Sequence, residues 1–327
     1  MKLSATGLAR RGHRASLPGL VAATLLTLVL AACAGDGSDG SGEARPQVGV
    51  TLLTEAHVFY QDLRSGMEAA ADSLGIDLHV VAGEWDLARQ TAQVQNFITR
   101  EMDAIVIAPV NSSGIVSAVR EAGEAGIPVF TADIASDGGD VVSHVASDNV
   151  QGGRLLGEYL ARRLGGSGRV AILDQPTIAS VQDRVMGFHQ ALAAHPGIEI
   201  VAEPAVERGL RDVAKEKTDN LLARMPDIDA IFGTNDDCAL GALASLQALG
   251  RTDVLVVGYD AIPEARTALA GGTALVADAV QDPVAIGRRT VEVVADYLNG
   301  VPVEPRVPVP VGLVTSDSAS TTAGSSD

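Results

Sequence analysis

The chain has 327 residues, with 41 acidic against 24 basic side chains and a formal charge of −17. That length allows two ordinary domains with real cores, and 46% apolar residues exclude a disordered protein. So acidic a surface repels phosphate backbones and excludes nucleic acid as a partner.

The N-terminus carries its own signal. Lys2, Arg10, Arg11 and Arg14 precede an apolar run over residues 17–30 that is too short and wrongly flanked for a membrane-spanning helix. The run ends in LAAC (30–33), which resembles the lipobox of bacterial lipoproteins, where the signal is cut before a cysteine that then takes lipid. Cys33 is therefore the candidate lipidation site, with residues 1–33 as signal peptide. An incidental cysteine in an ordinary secretory signal is the alternative. Residues 34–46, AGDGSDGSGEARP, read as a flexible tether. Loss of residues 1–33, with four positive and no negative charges, takes the formal charge from −17 to −21. The second cysteine, Cys238, then has no partner within the chain and reads as a small buried hydrophobe.

From Gln47 onward, strands and helices alternate. VGVTLL predicts a strand and residues 60–74 a helix; IDLHVV a strand and 86–100 a helix; DAIVIAPV a strand and 114–124 a helix; then the strand IPVFTA. The pattern resumes with a helix over 150–164, the strand RVAILD, a helix over 181–194, the strand IEIVAE and a helix over 212–224. DAIFG (strand), 240–249 (helix) and VLVVGYD (strand) follow. Short β-rich runs separated by helices predict βαβ units with parallel sheets buried on both faces. NFITREMDAIVIAPVN (96–111) parallels NLLARMPDIDAIFGTND (220–236), and each is followed by a helix and a strand ending in aspartate, Asp133 and Asp260. Two similar α/β halves are expected. The Ser/Thr/Asp-rich residues 316–327 lack periodicity and read as a disordered tail.

In parallel α/β sheets, ligands bind outside the carboxyl ends of the strands. That rule singles out Phe59, Tyr60, Trp85, Asp133, Asn235, Asp236, Tyr259 and Asp260. With aromatics only 3% of the chain, their gathering at strand tips is informative. Flat apolar faces beside carboxylates and amides suit a neutral polyhydroxylated ligand. Taken singly, Asn235 or Asp236 would serve as a helix cap and Asp133 or Asp260 as a turn former. As a set at equivalent tips of two halves, they point to a ligand site. Trp85 fits a core or rim role equally; His57 and Gln182 are further ligand-binding candidates, with the start of a helix as the alternative for His57. Other chemistries fit poorly. There is no GxxxxGK[ST] loop, HExxH, zinc-spaced Cys/His cluster or GxSxG elbow, and GGRLLG (152–157) reads as close helix packing. No catalytic residue, cofactor or metal is implied.

At these positions the chain resembles the monosaccharide-binding proteins of ABC importers, the ribose-binding-like branch of type I periplasmic binding proteins. The blocks VVSHVASDNVQGG, DRVMGF, IFGTNDDCALGAL, VVGYDAIPEA and AVQDPVAIG carry the likeness, which spans about residues 47–314. The resemblance implies two Rossmann-like lobes joined by a three-stranded hinge. The lobes would comprise 47–147 plus 282–310 and 148–281 plus 311–315, with crossings near 147–148, 281–282 and 310–311. It implies that Phe59 and Tyr60 sandwich a sugar ring and that Asp133, Asn235, Asp260 and Gln281 bind hydroxyls. Tyr259 matches an aromatic position, Asp236 supports its loop, and Asp237 caps the helix or faces solvent.

The departures are specific. Ile134 and Gln182 stand where sugar-binding relatives place arginines, Leu53 and His57 replace small polar and amide residues, and Gly209 replaces an aromatic. Arg184 reads as a structural arginine tying its helix to the lobe. The altered floor suits a polyol, cyclitol, hexose or modified pentose as well as ribose. The expectation is a monomeric solute-binding lipoprotein, not an enzyme, outside the cytoplasmic membrane or in the periplasm. It would deliver a neutral monosaccharide or polyol to an ABC permease, the alternative being a lipoprotein that presents bound sugar to a receptor kinase or chemoreceptor.

Overall fold

The computed structural model describes residues 45–318; the signal peptide with Cys33, the tether as far as residue 44, and residues 319–327 lie outside the described residues. Among the described residues, twelve strands are arranged in two six-stranded sheets. The first sheet contains β1 (Gln47–Leu52), β2 (Asp77–Ala82), β3 (Ala104–Ile107), β4 (Val129–Ala132), β5 (Val141–Ser147) and β11 (Arg306–Val309), in the order β2-β1-β3-β4-β5-β11. The second contains β6 (Ser167–Leu173), β7 (Gly197–Ala202), β8 (Ala230–Gly233), β9 (Leu255–Asp260), β10 (Leu275–Val280) and β12 (Gly312–Thr315), in the equivalent order β7-β6-β8-β9-β10-β12. Between the strands run helices α1 (Val58–Leu74), α2 (Leu87–Thr99), α3 (Val116–Glu124), α4 (Asn149–Arg163), α5 (Ala179–Leu192), α6 (Arg211–Arg224), α7 (Asp236–Leu249), α8 (Pro263–Ala270) and α9 (Pro283–Leu298).

The central strands are continuous apolar runs because helices cover both of their faces: AIVI in β3 and AIFG in β8 are buried throughout. The helices carry apolar stripes instead. Leu63, Met67, Ala70 and Ala71 of α1 recur at three- and four-residue spacing and are buried. Side-chain caps fix several starts, with His57, Asp86, Asp148, Asn235 and Asp282 each accepting a backbone N–H in the first turn that follows. Two helix pairs interlock closely, α1 with α9 in the first lobe and α4 with α5 in the second.

The chain passes between the sheets three times, from β5 to α4, from β10 to α9, and from β11 to β12. One feature departs from the all-parallel expectation: β12 runs antiparallel to β10. β11 leaves the first sheet parallel to β5, at its carboxyl end. Only Pro310 and Val311 follow, so β12 enters the second sheet from the carboxyl ends of its strands and must run against them. Residues 316–318, assigned from composition to a disordered tail, form a helical turn in which Ser318 N donates to Thr315 Oγ1 at 3.2 Å. Arg45, assigned to the tether, is paired with Asp77 at 3.0 Å.

Candidate functional site

The carboxyl ends of both sheets face one another across a cavity of about 160 Å³. The first lobe supplies the β1–α1 segment, the first turn of α1 and the residues after β4. Phe59 and Tyr60 are adjacent on α1, and their rings meet edge to face, with centroids 5.2 Å apart and planes at 75°. They cannot sandwich a ring between them, as the resemblance implied; they form one wall. The Tyr60 hydroxyl donates to Asp133 Oδ2 at 2.8 Å. Asp133 is 3% exposed and adopts a φ of 63°, the left-handed conformation that turns its carboxylate into the cavity, and its Oδ1 is buried with no partner among the described residues. Ile134, Leu53 and half-buried Trp85 complete this side.

The second lobe contributes Asn235, Asp260, Gln281 and Arg184. Asn235 caps α7: its Oδ1 accepts from Cys238 N at 2.8 Å, and its Nδ2 donates to Gly209 O at 3.3 Å. Gly209 has a φ of 60°, and a Cβ there would stand 2.6 Å from the amides of Asn235 and Gln175, so only glycine lets these side chains approach. Gln281 donates from Nε2 to Asp260 Oδ1 at 2.6 Å, leaving Gln281 Oε1 buried with no donor among the described residues.

Arg184 is the main departure from the sequence reading. It does tie its helix to the lobe, donating to Asn149 Oδ1 at 2.9 Å and to Thr234 O at 2.8 Å. It also turns inward, lines the cavity and stands 3.5 Å from Asp260 Oδ1, 5% exposed. Its guanidinium lies 3.9 Å from the centre of the Tyr259 ring. Tyr259 is fully buried beneath that guanidinium and does not line the cavity; it is a floor for Arg184. Gln182 is likewise outside the cavity, exposed on the far side of α5 and donating to Asp174 Oδ1 at 3.1 Å. Sequence reasoning passed over Gln175, Ile178 and Leu210, which line the second-lobe side. Gln175 sits just beyond β6, so the strand-tip rule reaches it, but its side chain is neither acidic nor aromatic.

The lobes touch at the rim. His57 Nε2 lies 3.9 Å from Asp237 Oδ2, and Ala179 N donates to Ser112 Oγ at 3.0 Å. Asp237, expected to face solvent or cap, lines the cavity and is paired with Arg211 at 2.9 Å.

Burial governs the electrostatics. It pushes Asp133 up to about 6, against the opposing pull of Arg184 and the Tyr60 hydrogen bond. Asp260 is also raised by burial, with Arg184 the largest restraint. A carboxyl raised from 3.8 to about 6 holds its proton longer in the folded state, so its contribution to stability is full below pH 3.8 and lost as pH rises to about 6. Relative to Asp133→Asn, the wild type should therefore lose about 1.4 kcal/mol per pH unit across that window and stay constant above it. Urea unfolding of both proteins at pH 4, 5, 6 and 7 checks this.

Two α/β lobes meeting over an acceptor-lined cavity define a two-lobed solute-binding protein. The chain belongs to the periplasmic binding protein domain family, which matches residues 48–302. Members of this family are extracytoplasmic substrate-binding proteins. The chain is 36% identical over 294 residues to the ribose import binding protein of Salmonella typhimurium, covering 89% of this chain and 97% of that protein. It is 32% identical over 255 residues to the xylitol-binding protein of Mycolicibacterium smegmatis, covering 77% and 72%. Among solved structures it is similar to an ABC transporter solute-binding protein from Bacillus halodurans with bound myo-inositol, at 31% identity and a TM-score of 0.79, covering 85% and 97%. A solute-binding protein from Mycobacterium smegmatis with bound glycerol is 34% identical, with a TM-score of 0.80, covering 86% and 98%.

Proposed function

We propose that this protein captures a neutral monosaccharide or polyol in the cavity between its lobes and delivers it to the permease of an ABC importer. The observation that carries the reading is a pair of buried acceptors at the cavity, Asp133 Oδ1 and Gln281 Oε1, with no donor among the described residues. An orphaned buried acceptor costs about 1–3 kcal/mol, and ligand hydroxyl groups are the donors that satisfy it. Phe59 and the aliphatic side chains of Ile134 and Ile178 offer apolar surface to C–H faces. Relatives that bind ribose and xylitol, and neighbours holding myo-inositol and glycerol, all take neutral polyhydroxylated molecules.

Arg184 does not make this an anion site. Its Nε serves Asn149, its Nη1 serves Thr234 and Asp260, and its single positive charge is opposed by Asp260 at 3.5 Å with Asp133 as a second carboxylate nearby. A phosphate or uronate would add a buried negative charge to two carboxylates that already outnumber this one guanidinium. Several hydrogen bonds to charged groups, each worth about 1.5–3 kcal/mol, less the cost of association, give an affinity of about −8 kcal/mol, or micromolar. Closure of the two lobes about the three crossings would present the loaded form to the permease. Cys33 would hold the protein to the membrane through lipid, the LAAC sequence being the ground for this. Labelled fatty acid should appear on the full-length protein and be absent from Cys33→Ser.

A thermal-shift screen over pentoses, hexoses, pentitols and cyclitols, with sugar phosphates and uronates as the opposing set, tests the reading. A ligand at about 100 times its Kd adds roughly 2.7 kcal/mol of stability. Neutral hits are expected; hits confined to the anions would reject the proposal.

A further inference from the structure

Two carboxyl groups beneath the cavity take no part in lining it. Asp236 opens α7 and Asp278 lies within β10, and both are 0% exposed. Asp236 Oδ2 accepts from Ile262 N at 2.6 Å, and Asp278 Oδ1 accepts from Ala261 N at 3.2 Å. Their remaining oxygens, Asp236 Oδ1 and Asp278 Oδ2, are buried and meet no donor among the described residues. Both oxygens crowd the same side of Gly258, where a Cβ would stand 3.0 Å from the first and 2.7 Å from the second.

The segment they hold is strained. Asp260 has a φ of 119° and Ala261 a φ of 56°, conformations that side-chain-bearing residues adopt only when their surroundings impose them. The charges facing the pair do not supply the missing donor. Arg266 of α8 gives its Nε to Ala261 O at 2.8 Å, Arg184 of α5 gives Nε to Asn149 and Nη1 to Thr234 and Asp260, and Asp260 at the end of β9 adds a third negative group. Two ionised carboxylates at this separation, away from water, would repel strongly.

We propose that Asp236 and Asp278 hold one proton in common, taken from solvent on folding. The resulting O–H···O bond fastens the Asp260–Ala261–Ile262 turn so that the Asp260 carboxylate is presented to the ligand. The two are positioning residues; their role at the ligand rests on the reading of the cavity as a sugar or polyol site, while the shared proton does not. Burial raises both groups, Asp236 well above the usual carboxylate range and Asp278 to about 7.

The chemistry makes an uneven forecast for three variants. In Asp236→Asn or Asp278→Asn, one amide N–H replaces the shared proton, and its oxygen still accepts the backbone N–H. Each single variant should bind the best ligand of the neutral panel within threefold of wild type at pH 7. In the double variant two NH₂ groups face each other, and one must turn away and release Ala261 N or Ile262 N. Binding should then fall at least tenfold while circular dichroism still reports the fold.

The proton itself is read from unfolding. Between pH 5 and 7 the unfolded chain has both carboxyls ionised and the folded pair still holds a proton, so folding binds a proton and stability falls as pH rises. Asp278→Asn removes that uptake. Its folding equilibrium constant should therefore gain on wild type by about tenfold per pH unit across the window. Parallel pH profiles for the two proteins would overturn the shared proton, and wild-type affinity in the double variant would overturn the positioning role. Should the double variant fail to fold, the unfolding profiles still decide the proton, and a single variant that folds but binds tenfold worse would count against the positioning role. If no neutral ligand binds wild type, the functional reading fails while the unfolding profiles still settle the pair.

Discussion

Arg184→Ala is expected to weaken ligand binding at least a hundredfold and to cost about 3–5 kcal/mol of stability. The guanidinium is one node shared by four groups: Asn149 Oδ1, Thr234 O, Asp260 and the face of Tyr259. Its loss leaves Asp260 buried beside Asp133 with no positive partner, an arrangement far worse than an apolar replacement of the whole pair. Asp260 should then rise further in pKa and take up a proton, losing its charge as an acceptor for ligand hydroxyls. Arg184→Lys should recover part of the stability and little of the binding, because an ammonium cannot hold Asn149, Thr234 and Asp260 in one plane or stack on Tyr259. Urea unfolding and calorimetric titration of the two variants, side by side, measure both effects. Wild-type affinity in Arg184→Ala would remove Arg184 from the site.

Gly153→Val should unfold the second lobe or cost more than about 3 kcal/mol. A Cβ at Gly153 would stand 1.9 Å from Arg184 O, and one at Gly187 would stand 2.0 Å from Val150 O. These are backbone contacts, so relief requires α4 and α5 to move apart. The same separation would pull Asn149, at the start of α4, away from Arg184 on α5, so affinity should fall with stability. Gly123→Ala in α3 is the control. Nothing lies within 4 Å of a Cβ there, and the better helix former should gain up to about 1 kcal/mol. Opposite signs for two glycine substitutions in helices, read by thermal and urea unfolding, separate the packing effect from helix propensity.

Much of this was legible in the sequence, for physical reasons. Strands buried on both faces give unbroken apolar runs, so β3, β8 and β9 stand out. The strand-tip rule picked out Asp133, Asn235 and Asp260, which the fold brings to one cavity, and GGRLLG showed its close-packing character. The errors on α5 came from judging Gln182 and Arg184 by position in a motif and not by helical face. Val181, Val185, Phe188 and Leu192 form the buried stripe, and Arg184 falls within it while Gln182, two residues earlier, faces away. That periodicity was the signal for an inward arginine. Tyr259 was misplaced because its strand-tip position does not reveal that Arg184 covers its ring. Asp278 was recoverable too, as a lone carboxylate inside the otherwise apolar LVADAV. The direction of β12 was not, because it depends on where the chain re-enters the second sheet.

The proposed site would take a neutral polyhydroxylated ligand on Asp133, Asp260, Gln281 and Arg184. Calorimetric titration of the leading neutral hit at neutral pH and moderate salt, into wild type and Asp260→Ala, tests it most directly. One site per chain is expected, with a Kd near micromolar, weakened at least tenfold by the substitution. Unchanged binding in Asp260→Ala, or tighter binding of a phosphorylated or carboxylated sugar than of its neutral parent, would contradict it.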